Sequence, residues 1–150
     1  MYKRQAVHTL IENYLNNEEL TKQEVLPLAL FTIMKDELDN VDNIVLQEAA
    51  LYSDKYQIAG RVDCIAEYEG KLSIIDFKTS AKLKKKSYIK NYFAQCAAYA
   101  IMFEERTGVP IDNSVIIIGV QDEEPQLFVE HRDNYTEYLL ECRDLYENNA

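Results

Sequence analysis

Apolar positions change period several times along this chain of 150 residues. Val7, Leu10, Ile11, Tyr14 and Leu15 recur at helical spacing, which predicts a first amphipathic helix fading at Asn16-Asn17. Thr21 followed by Glu24 is a capping-box pair with Thr21 as N-cap. A second helix follows through Leu26, Leu30, Ile33, Met34 and Leu38 to about Val41, and Pro27 is expected to delay its start by two or three residues. The period then switches. Ile44 to Tyr52 and Tyr56 to Tyr68 alternate or run apolar with β-branched residues, and Ser53-Asp54-Lys55 is a turn between them. Leu72 to Thr79 completes a three-strand antiparallel meander, joined through Glu69-Gly70, where Gly70 accepts the positive φ of a short hairpin.

Helical texture returns from Ser87 to about Thr107, rich in alanine and tyrosine, until Gly108-Val109-Pro110 stops it. Ser114 to Val120 is an apolar run suited to a strand covered on both faces. Gln126 to Glu130 reads as a further strand, and Asn134 to Tyr146 as a closing helix with Leu139, Leu140, Cys142 and Leu145 on its inner side. The order α-α-β-β-β-α-β-β-α predicts one α/β domain over residues 1–150, with a mixed sheet flanked by helices.

Composition narrows the setting. Hydrophobic residues at 47% and charged residues at 28% suit a globular fold with a real core. A net charge of -10 argues against a general nucleic-acid coat protein. The distribution tells more: no acidic residue occurs from Phe77 through Phe103, where Lys78, Lys82, Lys84, Lys85, Lys86 and Lys90 all fall. Cys64, Cys96 and Cys142 form no CxxC and leave one unpaired, so no disulfide framework is expected and an intracellular, cytoplasmic setting is favoured. No apolar run approaches a membrane span or a signal core, so no membrane partner is expected.

Candidate chemistry centres on GRVDCIAEYEGKLSIIDFKTS, residues 60–80. Asp63 begins one arm of the hairpin and Asp76 closes the other, so pairing brings the two carboxylates together. Lys78 shares the face of Asp76, while Phe77 points the other way. Two close carboxylates suit a hard divalent cation such as magnesium, and a neighbouring lysine can position a water and offset negative charge. A DxK taken alone is usually an Asp–Lys ion pair at a solvated strand end.

GRVD and IIDFKTS resemble the GxxD and DxK elements of the PD-(D/E)XK nuclease superfamily, in particular its RecB-like branch of phage- and mitochondrial-type single-strand exonucleases. QCAAYA resembles the QxxxY element of that branch through Gln95 and Tyr99, and AVHTLIENYL resembles the segment that carries its histidine, here His8. Gln5 stands where that segment normally has a glycine-threonine pair. The resemblance implies a restriction-endonuclease-like core. It further implies Mg2+ or Mn2+ held by His8, Asp63 and Asp76, with Glu48 and the carbonyl of Phe77 as further candidates. Lys78 would then activate the attacking water. The four-cysteine pattern of iron–sulfur members is absent, so no cluster is expected.

Simpler roles stand beside these. His8 can be an ordinary histidine at the edge of an apolar stripe, and Glu48 either a ligand or a polar strand residue. Gln95 and Tyr99 share one helical face, where Gln95 can hold site groups and Tyr99 can either pack on the sheet or line a nucleic-acid path. Lys82, Lys84, Lys85 and Lys86 form either a solvated loop or, with Tyr88, Lys90 and Tyr92, a single-strand track of cations and stacking rings. The expected activity is metal-dependent DNA exonuclease action on single strands or exposed ends, in DNA repair, recombination or processing. The alternatives are a non-catalytic or partner-dependent DNA-end binding module and a structure-specific endonuclease. A chain of 150 residues has little material for an arch, so strand threading points to an oligomer or a protein partner.

Overall fold

The computed structural model describes residues 2–18 and 25–149, and its elements follow the hydrophobic pattern closely. Helix α1 (Tyr2–Leu15) ends where its periodicity fades. Asn17 takes a left-handed φ of 58°, and the Asn17 and Glu18 amides return to the carbonyls of Tyr14 and Asn13, the Schellman pattern of a helix end. The capping-box pair Thr21 and Glu24 lies outside the described residues. Helix α2 spans Val25–Leu38, and the residues on which a delayed start would show, 21–24, lie outside the described ones. The proline sits in the first turn, where its missing N–H has no intrahelical partner to lose. The helix stops earlier than expected, and Val41 instead opens strand β1, paired with Tyr68.

Strand β1 (Val41–Ser53) runs antiparallel to β2 (Ile58–Tyr68), which runs antiparallel to β3 (Lys71–Ser80). The β1–β2 turn occupies 54–57 and leaves Ser53 in the strand. Between β2 and β3, Glu69 and Gly70 both have positive φ, 50° and 83°, the two-residue turn that matches strand twist. A short 3-10 turn (Lys86–Tyr88) precedes helix α3 (Lys90–Thr107), a later start than the predicted Ser87. Gly108, at φ 75°, closes that helix. Strand β4 (Asn113–Val120) returns parallel to β3, β5 (Gln126–His131) pairs antiparallel with β4, and helix α4 (Asp133–Asn149) follows. The sheet order is β1-β2-β3-β4-β5.

Alternation divides the sheet between two apolar layers. Ile74, Ile116 and Ile118 face α3 and α4, meeting Phe93, Cys96, Ala100 and Met102, with Tyr135 and Leu139 packed behind. Phe93 stacks on Tyr135 with centroids 4.8 Å apart. Ile75, Phe77, Val115 and Ile117 face α1 and α2 through Val7, Leu10, Ile11, Leu30 and Met34. The side chains of Cys142 and Leu145 lie outside the described residues. Among the described residues, no helix is long and apolar enough to cross a membrane.

Helix α2 lies close enough to β4 that only a glycine fits beneath it. A Cβ at Gly119 would stand 2.8 Å from Met34 Cγ and Sδ and 3.2 Å from the Leu30 carbonyl oxygen. Gly119→Val is therefore expected to cost about 1–3 kcal/mol by overpacking, measured as a lower urea midpoint. The cost should shrink in a Met34→Ala background, where the side chain that blocks the site has been removed.

Candidate active site

The site forms where β2 and β3 part. Their pairing ends at Cys64 and Ile75, so Asp63 and Asp76 are the first residues beyond the ladder. The Phe77 N–H, left without a strand partner there, donates to Asp63 Oδ2 at 2.9 Å. The Asp63 charge beside Asp76 favours the protonated form of the Asp76 carboxyl. Burial raises both above the ordinary carboxylate range. For Asp76, burial and the neighbouring Asp63 charge push it up to about 8, against the pull of Lys78.

Lys78 is 8% exposed and fixed from three sides. Its Nζ lies 3.2 Å from Asp76 Oδ2, donates to Gln95 Oε1 at 3.2 Å, and stands 4.7 Å from the Tyr92 ring centroid. The Asp76 contact is an ion pair rather than an aligned hydrogen bond, and Asp76 Oδ2 is buried with no hydrogen-bond partner. Gln95, on α3, thus accepts from the Lys78 ammonium.

From the opposite layer, α1 delivers His8, one turn from the buried Ile11. His8 Nδ1 lies 3.6 Å from Glu48 Oε1 and 3.6 Å from Asp63 Oδ1, while its edge rests on Phe77. Its Nε2 is buried and unbonded. One ligand atom from each of His8, Glu48 and Asp63 falls within 4.8 Å of the others. An imidazole nitrogen and two carboxylates at that spacing, beside the unsatisfied oxygen of Asp76, form a donor set that fits a divalent cation.

Glu48 owes its place to an irregularity that sequence reasoning missed. It has a φ of 46° at the register position opposite Asp63, between the pairs Gln47–Cys64 and Ala49–Val62. A left-handed conformation costs a residue with a side chain on the order of 1 kcal/mol. The same point breaks the alternation of β2, since Val62 packs in the α3 layer and Cys64 in the α1–α2 layer. Arg61 was likewise missed. Its Nε lies 3.1 Å from Glu48 Oε2, and the only sequence signal was its place inside GRVD.

Three predicted substrate contacts have other neighbours in the structure. Tyr99 is 6% exposed and lies over Gly60, where a Cβ would come within 3.0 Å of Tyr99 Cε1, so it packs inside rather than lining a strand path. The Tyr92 ring has the Lys78 ammonium over one face, 4.7 Å from its centroid. Lys86 is ion-paired with Glu130. Lys82, Lys84, Lys85 and Lys90 remain exposed, and Tyr88 is 77% exposed. The Gln126 side-chain amide grips the backbone of Lys84 through bonds of 2.8 and 2.9 Å, which ties the lysine loop to β5.

A family model described as the PD-(D/E)XK nuclease superfamily matches residues 2–148. The chain is 34% identical over 93 residues to the mitochondrial genome maintenance exonuclease 1 of Xenopus tropicalis, covering 59% of this chain and 26% of that protein. It is 28% identical over 126 residues to the human protein of the same name, covering 79% of this chain and 36% of the human one. The chain thus spans about a third or less of the length of these relatives. A crystal structure from Eubacterium rectale, of a protein assigned as an exonuclease, superposes with a TM-score of 0.66 at 12% identity, over 98% of this chain and 65% of that one. That likeness carries the fold, a restriction-endonuclease-like mixed sheet with helices on both faces.

The raised carboxyl of Asp76 has a consequence for stability. A carboxyl raised in the folded state binds its proton more tightly there than in the unfolded chain, so folding loses stability as pH rises between the two pKa values. In chelator, stability should fall from about pH 4 to about pH 8, the value toward which Asp76 is pushed. Asp76→Asn should be more stable than the parent at pH 8 by on the order of 1–3 kcal/mol. Added manganese should reverse that order. Urea denaturation across pH, with chelator or with metal, checks both expectations.

Proposed function

The chain belongs to the PD-(D/E)XK nuclease superfamily, and from that premise we propose that it is a divalent-metal-dependent DNA exonuclease acting on single strands or exposed ends. The observation that carries the reading is the convergence of Asp63, Asp76 and Lys78 at the point where β2 leaves β3, with Lys78 held by Gln95 and Tyr92. A module that only bound DNA ends would have no need to bury a lysine against two acids.

His8, Glu48, Asp63 and Asp76 would hold Mg2+ or Mn2+. Such a cation, when bound, polarises a phosphoryl oxygen and lowers the pKa of a water. Lys78 orients the attacking water and balances the charge that grows on the phosphoryl oxygens. Gln95 and the Tyr92 ring are positioning groups, because they act through the ammonium of Lys78 and not on the substrate. The exposed Lys82, Lys84 and Lys85 offer phosphate contacts on a loop whose backbone is already fixed, and Tyr88 offers a ring for a base. DNA repair or processing is the setting in which such an activity would serve.

End-labelled single-stranded, duplex and circular DNA, incubated with magnesium or manganese, test the proposal. Shortening from the ends is expected, with a loss of at least about a thousandfold in Lys78→Ala and Asp76→Ala. Equal degradation by the variants and the parent would overturn the reading, and cutting of circles would make the protein an endonuclease. Gln95→Leu should lower kcat by about 10–100-fold with little change in KM, because it frees Lys78 without touching the substrate.

A further inference from the structure

The acid cluster has a cationic anchor on one flank in the loop at 81–85, fastened to β5 through Gln126. On the other flank, towards β1, the cation is Arg61 of β2. Its side chain is 68% exposed, yet it is not loose. Nε lies 3.1 Å from Glu48 Oε2, and Glu48 is itself set against His8 through its other oxygen. Among the described residues, the two terminal nitrogens of Arg61 bond nothing. One edge of the guanidinium is therefore used to fix the group, while its far end faces solvent beside an anionic site. A carboxylate cluster repels an approaching phosphate, so a nearby cation with a free fork has an electrostatic task that Glu48 alone does not exhaust.

We propose that Arg61 is a phosphate clamp, whose terminal nitrogens take a phosphodiester of the substrate strand on the β1 side of the acid cluster. The proposal, which rests on the nuclease reading, has the strand cross the cluster between two anchors, Arg61 and the lysine loop. The guanidinium suits a non-scissile phosphate, because its contact with Glu48 holds it at the rim and away from Lys78 across the cluster.

The test measures binding of a fluorescein-labelled single-stranded oligothymidylate by anisotropy across KCl concentration, with manganese present and in a Lys78→Ala background. Steady-state kinetics are run in the parent background. Arg61→Gln is expected to weaken binding by about 5–20-fold and to flatten the slope of log K against log[KCl] by about 0.7, one phosphate contact on a single strand. KM should rise while kcat stays within about threefold of the parent, and Arg61→Lys should keep the slope while regaining part of the affinity. Unchanged affinity and slope in Arg61→Gln overturn the clamp. A fall in kcat with the slope unchanged also overturns it, because Arg61 would then act only by orienting Glu48. Absence of any binding or cutting by the parent overturns the nuclease reading and the clamp with it, whereas binding by parent and Arg61→Gln alike overturns the clamp alone.

Discussion

Two carboxyl groups in contact at the end of a sheet cannot both stay charged without help. At an effective dielectric near that of a protein surface, two unit charges 4 Å apart repel by ~4 kcal/mol, several times the net worth of an ordinary hydrogen bond. Everything around Asp63 and Asp76 answers that repulsion. The Phe77 N–H is spent on Asp63, Lys78 is drawn in against Asp76, and burial beside Asp63 favours a proton on Asp76. None of these partners neutralises the pair fully, because Gln95 and Tyr92 compete for Lys78 and the backbone donor carries only a partial charge. A divalent cation would bring twice the charge of the proton and bind oxygens of several carboxylates at once. The site is thus built around a deficit of positive charge.

Most of this was legible in the chain because it is local. A hairpin with Glu69-Gly70 at its turn fixes which residue faces which, so Asp63 and Asp76 could be brought together by counting. The spacing of Gln95 and Tyr99 placed both on one helical face, and the alternation of β3 separated Phe77 from Lys78. What was not legible depends on contacts between distant segments. Nothing around Glu48 announces a left-handed backbone, and the resulting face switch in β2 cannot be read from a period that it interrupts. Tyr99 and Tyr92 look alike in sequence, yet one fills the space left by Gly60 and the other has a lysine from β3 over one face. Lys86 stands in an apparently uniform lysine run, and only the arrival of β5 gives it Glu130 as a partner. The early end of α2 has the same origin, since Val41 is claimed by pairing with Tyr68.

His8 is the part of the acid cluster that comes from α1, while Glu48 and Asp63 come from adjoining strands. Along the chain it is separated from them by 40 and 55 residues (48 minus 8 and 63 minus 8). An ion gripped by these three groups would close two long loops at once, and clips that close long loops restrict the unfolded chain most. Docking of the first helix would then rest on two unlike forces: the burial of Val7, Leu10 and Ile11, and coordination at the far side of the same turn. The first does not depend on divalent ions, and the second does. The amino-terminal helix would serve as a latch whose hold is set by the free concentration of divalent ions, so that the groups needed for chemistry and the groups that keep α1 in place would be assembled in one event.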